Sequence, residues 1–200
     1  NESTTTVEGD ENNVDIDQIG DGNSVKANAT KVGTNFANGN ILTSSQQGDN
    51  NSAEFNVRDG DDNTLTSDQN GNDNFQRFKV RGNTNDFTSD QDGNLNTVNF
   101  YGKGGSDNNT LASVQTGDGN FFTGEIKGDN NNVTTSQTGN GNNIGSGALY
   151  TYDGVKINGN FNTATITQNG QNHFSTSSQT GDNNVANVMQ SQNVIQINPN

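Results

Sequence analysis

Hydrophobic and polar residues alternate in short bursts along this chain, and each burst starts at a fixed distance from an asparagine. After Asn12, Asn40, Asn63, Asn85, Asn109, Asn131, Asn162 and Asn184 the even offsets carry apolar or small residues. They are Val14 and Ile16, Leu42 and Ser44, Leu65 and Ser67, Phe87 and Ser89, Leu111 and Ser113, Val133 and Thr135, Ala164 and Ile166, Ala186 and Val188. The odd offsets, such as Asp15, Asp17, Thr43, Ser45, Thr66 and Asp68, are polar. Period-two alternation bounded by Gly, Asn and Asp clusters predicts a β-strand with one inward face. A second burst follows in each unit, with Val25 and Ala27, Ala53 and Phe55, Val98 and Phe100, and Phe122 and Ile126. Each unit is thus expected to hold two short strands.

The sixth offset is glutamine every time, at Gln18, Gln46, Gln69, Gln91, Gln115, Gln137, Gln168 and Gln190. A strict internal repeat of about 22 residues is the signature of a solenoid, each repeat one layer stacked on the next. Turn glycines follow at Gly20, Gly48, Gly71, Gly93, Gly117, Gly139 and Gly170, where Gly and Asn tolerate positive φ. The second Asn position comes 11 residues after the first in all eight units, whereas the return to the next unit takes 17, 12, 11, 13, 11, 20 and 11 residues. One arch is invariant and the other accepts insertions. The largest insertion, about 145–154 with Tyr150 and Tyr152, is expected to bulge from one edge as a surface loop.

The predicted fold class is therefore all-β: a left- or right-handed β-solenoid of about eight stacked strand-turn-strand layers, cross-β in character and about 38 Å long. Its expected bounds are an N-terminal tail at 1–6, a single domain at 7–197 and a C-terminal tail at 198–200. Inward Gln and Asn make sense only if like stacks on like. An identical carboxamide in each layer can donate to one neighbour and accept from the other, whereas a buried, unpaired amide costs roughly 1 to 3 kcal/mol. The eight Asn and eight Gln are thus expected to form a structural ladder. Phe55, Phe78 and Phe100 occupy equivalent places in consecutive layers and are expected to stack in the core.

Composition narrows the function. Only 24% of the 200 residues are hydrophobic, about half the usual share, so a broad oily core is excluded. The balance of 9 basic against 23 acidic residues argues against nucleic-acid partners and anionic membranes. No apolar run approaches the roughly 20 residues that span a bilayer, so membrane insertion is not expected. The opening Asn1-Glu2-Ser3-Thr4 has neither a basic nor an apolar signal region, as at a mature or trimmed end. With no cysteine and one histidine, His173 in a turn place usually held by Asn, no metal, cofactor or catalytic constellation emerges, and an enzyme is not expected. Asp10, Asp21, Asp49, Asp61, Asp118, Asp129 and Asp182 follow turn glycines, and their stacked rows could hold calcium weakly, although the glycine-rich calcium nonapeptide pattern is absent.

The motif Gln-x-Gly-x-x-Asn, read at Gln69 to Asn74, Gln115 to Asn120 and Gln137 to Asn142, resembles the curlin repeat of bacterial curli fibres. The resemblance runs from about Val7 to Ile197. Within it Ala37, Ser106 and Gln192 replace Gly, and His173 and Ile195 replace the second Asn. Val7, Val80, Ile126 and Ile157 stand where the other half-repeat would place Gln, with Gln179 matching. It implies a secreted subunit that polymerises outside the cell into functional amyloid for adhesion and biofilm matrix, its partners being itself, a nucleator subunit and secretion machinery. The terminal layers offer Val14 and Ile16 at one end and Val188, Ile195 and Ile197 at the other. These are the expected polymer ends for head-to-tail β-pairing, a contact that does not close. The competing expectation is a monomeric solenoid serving as a surface adhesin or carbohydrate-binding module.

Overall fold

The computed structural model describes residues 1–31, 37–148 and 151–192. Among these residues there is no helix, and the chain coils into a β-solenoid of eight layers between two parallel sheets. In chain order the first twelve strands are β1 (Glu2–Val7), β2 (Asn13–Ile19), β3 (Ser24–Thr30), β4 (Ile41–Gln47), β5 (Ser52–Arg58), β6 (Thr64–Asn70), β7 (Phe75–Val80), β8 (Asp86–Asp92), β9 (Thr97–Gly102), β10 (Thr110–Thr116), β11 (Phe121–Lys127) and β12 (Asn132–Thr138). They are followed by β13 (Asn143–Ile144), β14 (Val155–Asn158), β15 (Thr163–Asn169), β16 (Phe174–Ser175), β17 (Ser177–Thr180) and β18 (Val185–Ser191). The first sheet runs β1-β3-β5-β7-β9-β11-β13-β16, with β14 and β17 continuing its last two layers; the second runs β2-β4-β6-β8-β10-β12-β15-β18.

Register is one repeat per layer. Gln46 pairs with Gln69, Gln69 with Gln91 and Gln91 with Gln115, and Phe55 pairs with Phe78 and Phe78 with Phe100. A slip of one residue would turn every inward side chain to solvent, so the alternation itself fixes this register. The inward faces bury Leu42, Leu65, Phe87, Leu111 and Val133 from the second sheet against Phe55, Phe78, Phe100, Phe122 and Ile126 from the first. The expected phenylalanine stack is present in part: Phe55 and Phe78 stack directly, whereas Phe78 and Phe100 are linked through Phe87 of the opposite sheet. Phe55 and Phe78 lie 6.1 Å apart at 19°, and Phe87 meets Phe78 and Phe100 edge-on at 5.9 and 5.2 Å. Room for these rings comes from inward glycines. A Cβ on Gly124 would come within 2.6 Å of the Phe100 ring, and one on Gly102 within 3.2 Å of Phe87.

Two expectations need correction. Residues 1–6 are not a tail, because Glu2–Val7 forms β1 and pairs in register with β3 from Glu2 opposite Ser24 to Val7 opposite Ala29. Its Ser and Thr residues carry no apolar alternation; the free edge of β3 holds it through main-chain bonds instead. The large insertion does not lengthen an edge turn either. It splits a strand of the first sheet, with β13 ending at Ile144 and β14 resuming at Val155, both parallel to β11. The described loop residues lie on the outer side of that sheet, where Tyr152 packs 5.7 Å from Tyr101 and the Gly154 N–H reaches the Thr123 hydroxyl at 3.3 Å. Asp153 fastens this loop, accepting hydrogen bonds from the Ser146 N–H and the Thr151 hydroxyl, both at 3.0 Å. Burial pushes its carboxyl up, but those bonds outweigh it and bring the pKa down to about 2. Tyr150 lies outside the described residues.

The turns hold a second regularity. Among the described residues, the residue just before each first or second Asn position is left-handed, with φ of 57° at Asn50, Asp73, Thr84 and Leu95 and 56° at Phe161. Asn and Asp accept this conformation readily, whereas a larger residue is strained by about 1 to 3 kcal/mol. Leu95, 63% exposed, gains little burial in return. Leu95→Asn is expected to stabilise the folded chain by about 1 kcal/mol, read from the guanidinium midpoint of the freshly isolated monomer. A midpoint at or below the parent's would contradict the strain.

Candidate functional site

The features that distinguish this solenoid, among the described residues, are its amide ladders, the unmatched groups at their two ends and its unlike outer faces. Each ladder glutamine points inward from the second sheet, and its Nε2 donates to the Oε1 of the next layer. The bonds Gln18 to Gln46, Gln46 to Gln69, Gln69 to Gln91, Gln91 to Gln115, Gln115 to Gln137, Gln137 to Gln168 and Gln168 to Gln190 all fall between 2.8 and 2.9 Å. The second amide proton crosses to the facing sheet, as from Gln91 to the Phe75 carbonyl at 3.2 Å and from Gln115 to the Thr97 carbonyl at 3.0 Å. The glutamine row therefore joins layers lengthwise and sheets crosswise.

The asparagines run the other way. Asn40 Nδ2 donates to Asn12 Oδ1, Asn63 to Asn40, Asn85 to Asn63, Asn109 to Asn85, Asn131 to Asn109, Asn162 to Asn131 and Asn184 to Asn162, at 2.9 to 3.1 Å. The same Oδ1 atoms also accept main-chain N–H groups, as from Asn63 to Asn40 at 3.0 Å, and Nδ2 reaches a turn carbonyl such as Gly82 at 2.9 Å. The carbonyl column of the opposite arch, which accepts from the second asparagines Asn51, Asn74 and Asn96, requires glycine. At Gly71, with φ of 116°, a Cβ would overlap the Gly93 carbonyl, and Gly20, Gly48, Gly93, Gly117 and Gly139 face the same obstruction. Gly170, at φ 133°, meets side chains of His173 and Gln192 instead. The histidine keeps the ladder's main-chain link, its N–H donating to Asn142 Oδ1 at 3.1 Å.

The turn carboxylates take part in a third ladder, which sequence reasoning missed. Asp49 Oδ1 accepts the Asp21 N–H at 2.9 Å, Asn72 accepts from Asp49 at 2.8 Å, Asn94 from Asn72 at 3.0 Å and Asp118 from Asn94 at 2.9 Å. The opposite edge repeats this with Asp61, Asn83, Asp107 and Asp129. Only an acceptor oxygen is needed, so Asp and Asn interchange in these rows.

The ladders stop at the terminal layers. Among the described residues, Gln18 Oε1 has no donor, and Gln190 Nε2 donates only within its own layer, to the Phe174 carbonyl at 2.9 Å. Asn184 Oδ1 accepts nothing, and Asn12 Nδ2 has the Ala37 carbonyl but no preceding amide. Beside these groups Val14, Ile16 and Val188 pack on the core while remaining partly exposed. Ile195 and Ile197 lie outside the described residues.

Outward residues divide by charge. All nine Lys and Arg lie on or just after strands of the first sheet, and none is on a strand of the second. The second sheet's outer face instead carries Asp15, Asp17, Asp68, Asp86, Asp90 and Asp92. This segregation was also missed, although Arg58, Arg81, Lys103 and Lys127 each stand 7 residues after Asn51, Asn74, Asn96 and Asn120. Burial and then the charges of Asp68 and Asp92 push the Asp90 carboxyl up.

Two outcomes are expected. Gln91→Ala leaves Gln69 without its acceptor and Gln115 without its donor, both buried. It should lower stability by about 2 to 4 kcal/mol, against about 1 kcal/mol for the half-exposed Gln18→Ala. Equal guanidinium midpoints would show that the ladder does not carry stability. For Asp90 the folded pKa lies above the unfolded one, so folding takes up a proton and stability falls as pH rises through that window. Asp90→Asn is thus expected to raise the thermal midpoint at neutral pH and to leave it unchanged at about pH 3, below the ordinary carboxylate value. An equal gain at both pH values would exclude titration as the cause.

Residues 159–191, which span β15 to β18 with Asn162, Gln168, Asn184 and Gln190, match the family model described as the Curlin associated repeat. No curated protein and no solved structure matches the chain. Residues 159–191, whose ladder positions bond in the same way to those of the preceding layers, thus carry a curlin-type repeat within the solenoid.

Proposed function

We propose that this chain is a structural subunit of an extracellular fibre of the curli type, built by stacking one solenoid on the next, and that it is not an enzyme. The observation that carries this reading is the complementarity of the ends. The last layer presents the Gln190 amide protons and the Asn184 oxygen, and the first layer presents the Gln18 oxygen and the Asn12 amide. Placed end to end with one strand spacing between them, Gln190 of one copy donates to Gln18 of the next, and Asn12 of the next donates to Asn184. Both ladders continue without a break, and the free edges of β1 and β2 pair with those of the last layer. The half-exposed Val14, Ile16 and Val188 become fully buried in the same step. Such a contact is heterologous and open, so it propagates as a filament. The curlin-repeat match at residues 159–191 supports a secreted, surface location and self-assembly, and we extend the same reading to adhesion, a matrix role, a nucleator and an export apparatus as partners.

Purified chain at neutral pH is expected to pass from soluble to sedimentable after a lag, to bind amyloid dyes and to diffract at the strand spacing of about 4.8 Å. Gln18→Ala and Gln190→Ala should lengthen the lag more than Gln91→Ala does, the reverse of their order in stability. A parent chain that stays monodisperse for days sinks the proposal.

A further inference from the structure

The outer face of the first sheet concentrates positive charge in a chain whose net charge is −14. Arg58, Arg81, Lys103 and Lys127 occupy one place in four consecutive layers, continuing the register in which Val57, Val80, Gly102 and Ile126 pair. They form a straight row of cations spaced by the strand repeat, about 4.8 Å. Lys79 lies beside the row, with Arg77 close by. Glu54 engages Arg77 at 3.0 Å, and Glu125 stands 3.9 Å from Lys103. Among the described residues no carboxylate lies within ion-pair distance of Arg58, Lys79, Arg81 or Lys127. Burial, and then the charge of Arg77, pushes the Lys79 ammonium down from its ordinary value, as expected where like charges are crowded.

The same cations border a groove of about 180 Å³ lined by Asn56, Arg58, Lys79, Arg81, Tyr101 and Tyr152. Tyr152 comes from the insertion, which crosses the sheet to place its ring 5.7 Å from Tyr101. The fold therefore sets two aromatic surfaces beside Arg58, Lys79 and Arg81, of which Arg58 donates through Nε to Asn56 Oδ1 at 3.2 Å, and it does so with a loop that interrupts a strand. The Asp cluster of the second sheet faces the opposite side of the core, while on this face Glu54 and Glu125 stand beside Arg77 and Lys103.

We propose that this face binds a linear acidic polysaccharide of the polyuronate class. Each ring of such a chain carries one carboxylate, and the carboxylates turned toward the sheet meet cations of the row. Arg58 and Arg81 hold carboxylates through paired N–H donors, and the apolar face of a sugar ring lies on the tyrosines. Duplex DNA fits this face less well, because its bases are stacked inside the helix and leave no ring face to lie on the tyrosines.

The test uses full-length chain freshly isolated as monomer, titrated calorimetrically with oligogalacturonate, so that it reads out whether or not the chain later forms fibres. Binding that weakens as salt rises, and that is absent for the methyl-esterified oligomer, is expected. R58Q/R81Q should weaken it at least about tenfold and Y101A by about threefold, with the β-sheet circular dichroism unchanged because all three side chains point outward. R58K/R81K, which keeps charge but loses the fork, should fall between parent and R58Q/R81Q. The proposal is overturned if the methyl ester binds equally, if duplex DNA binds more tightly, or if R58Q/R81Q binds like the parent. It also falls if R58Q/R81Q abolishes lateral self-association without weakening oligogalacturonate binding, since the row would then serve the Asp-rich face of a second copy.

Discussion

The rest of this structure depends on one constraint: a buried carboxamide has to find its partners in the layer above and the layer below. A glutamine side chain brings two donors and an acceptor, and a narrow interior offers no water to satisfy them. An unmet amide costs roughly 1 to 3 kcal/mol, enough that one isolated inward Gln would be a serious burden on a chain so poor in apolar residues. Eight of them in register cost little, because each supplies what its neighbour lacks. That requirement fixes the parallel in-register stacking, and the stacking in turn determines the turns. Once layers repeat at the strand spacing, a Cβ at the turn position overlaps the carbonyl of the next layer, which leaves glycine at Gly71 and its equivalents. It even imposes left-handed backbone on Leu95 and Phe161, residues that would not choose it.

Because the ladders use only inward side chains and turn oxygens, they leave the outward residues almost unconstrained. The turn rows need an acceptor oxygen and nothing more, so Asp49, Asn72, Asn94 and Asp118 follow one another in one column, and charge there is set independently of structure. The outer faces show the same freedom on a larger scale. One sheet has taken all the cations and the other a cluster of aspartates, at no expense to the core. A repeat protein of this kind can thus carry two unlike surfaces on a single invariant interior.

Much of this was legible in the sequence, because period two and a recurring Asn-to-Gln spacing are local properties of the string. Val14, Ile16 and Gln18 declare an inward face unaided, and so do Leu65, Ser67 and Gln69. What stayed hidden was decided by tertiary context. The stretch Glu2 to Val7 shows no apolar alternation and is a strand only because the edge of β3 offers it main-chain partners. The distance from Asn142 to Asn162 reports the length of the insertion but not its place; Ile144 and Ile157 sit on either side of it as parts of one interrupted strand. The cation row was written at a constant offset from the second Asn, yet a net charge averages over faces that the fold holds apart.

The opposite polarity of the two ladders has a consequence for any contact made at the ends. Glutamine amides donate toward the C-terminal layer, and asparagine amides toward the N-terminal one. Two identical ends brought together would set the Gln190 amide against another Gln190 amide, or the Gln18 oxygen against another Gln18 oxygen. Each such pairing buries groups of the same kind, at roughly 1 to 3 kcal/mol apiece, and it also forces antiparallel pairing on strands whose registers are parallel throughout. Opposite ends incur neither penalty. A single ladder would discriminate against like ends by one mismatched group, whereas two antiparallel ladders do so at both the Gln and the Asn positions. The direction of stacking is therefore encoded in the amide orientations that hold each layer to the next.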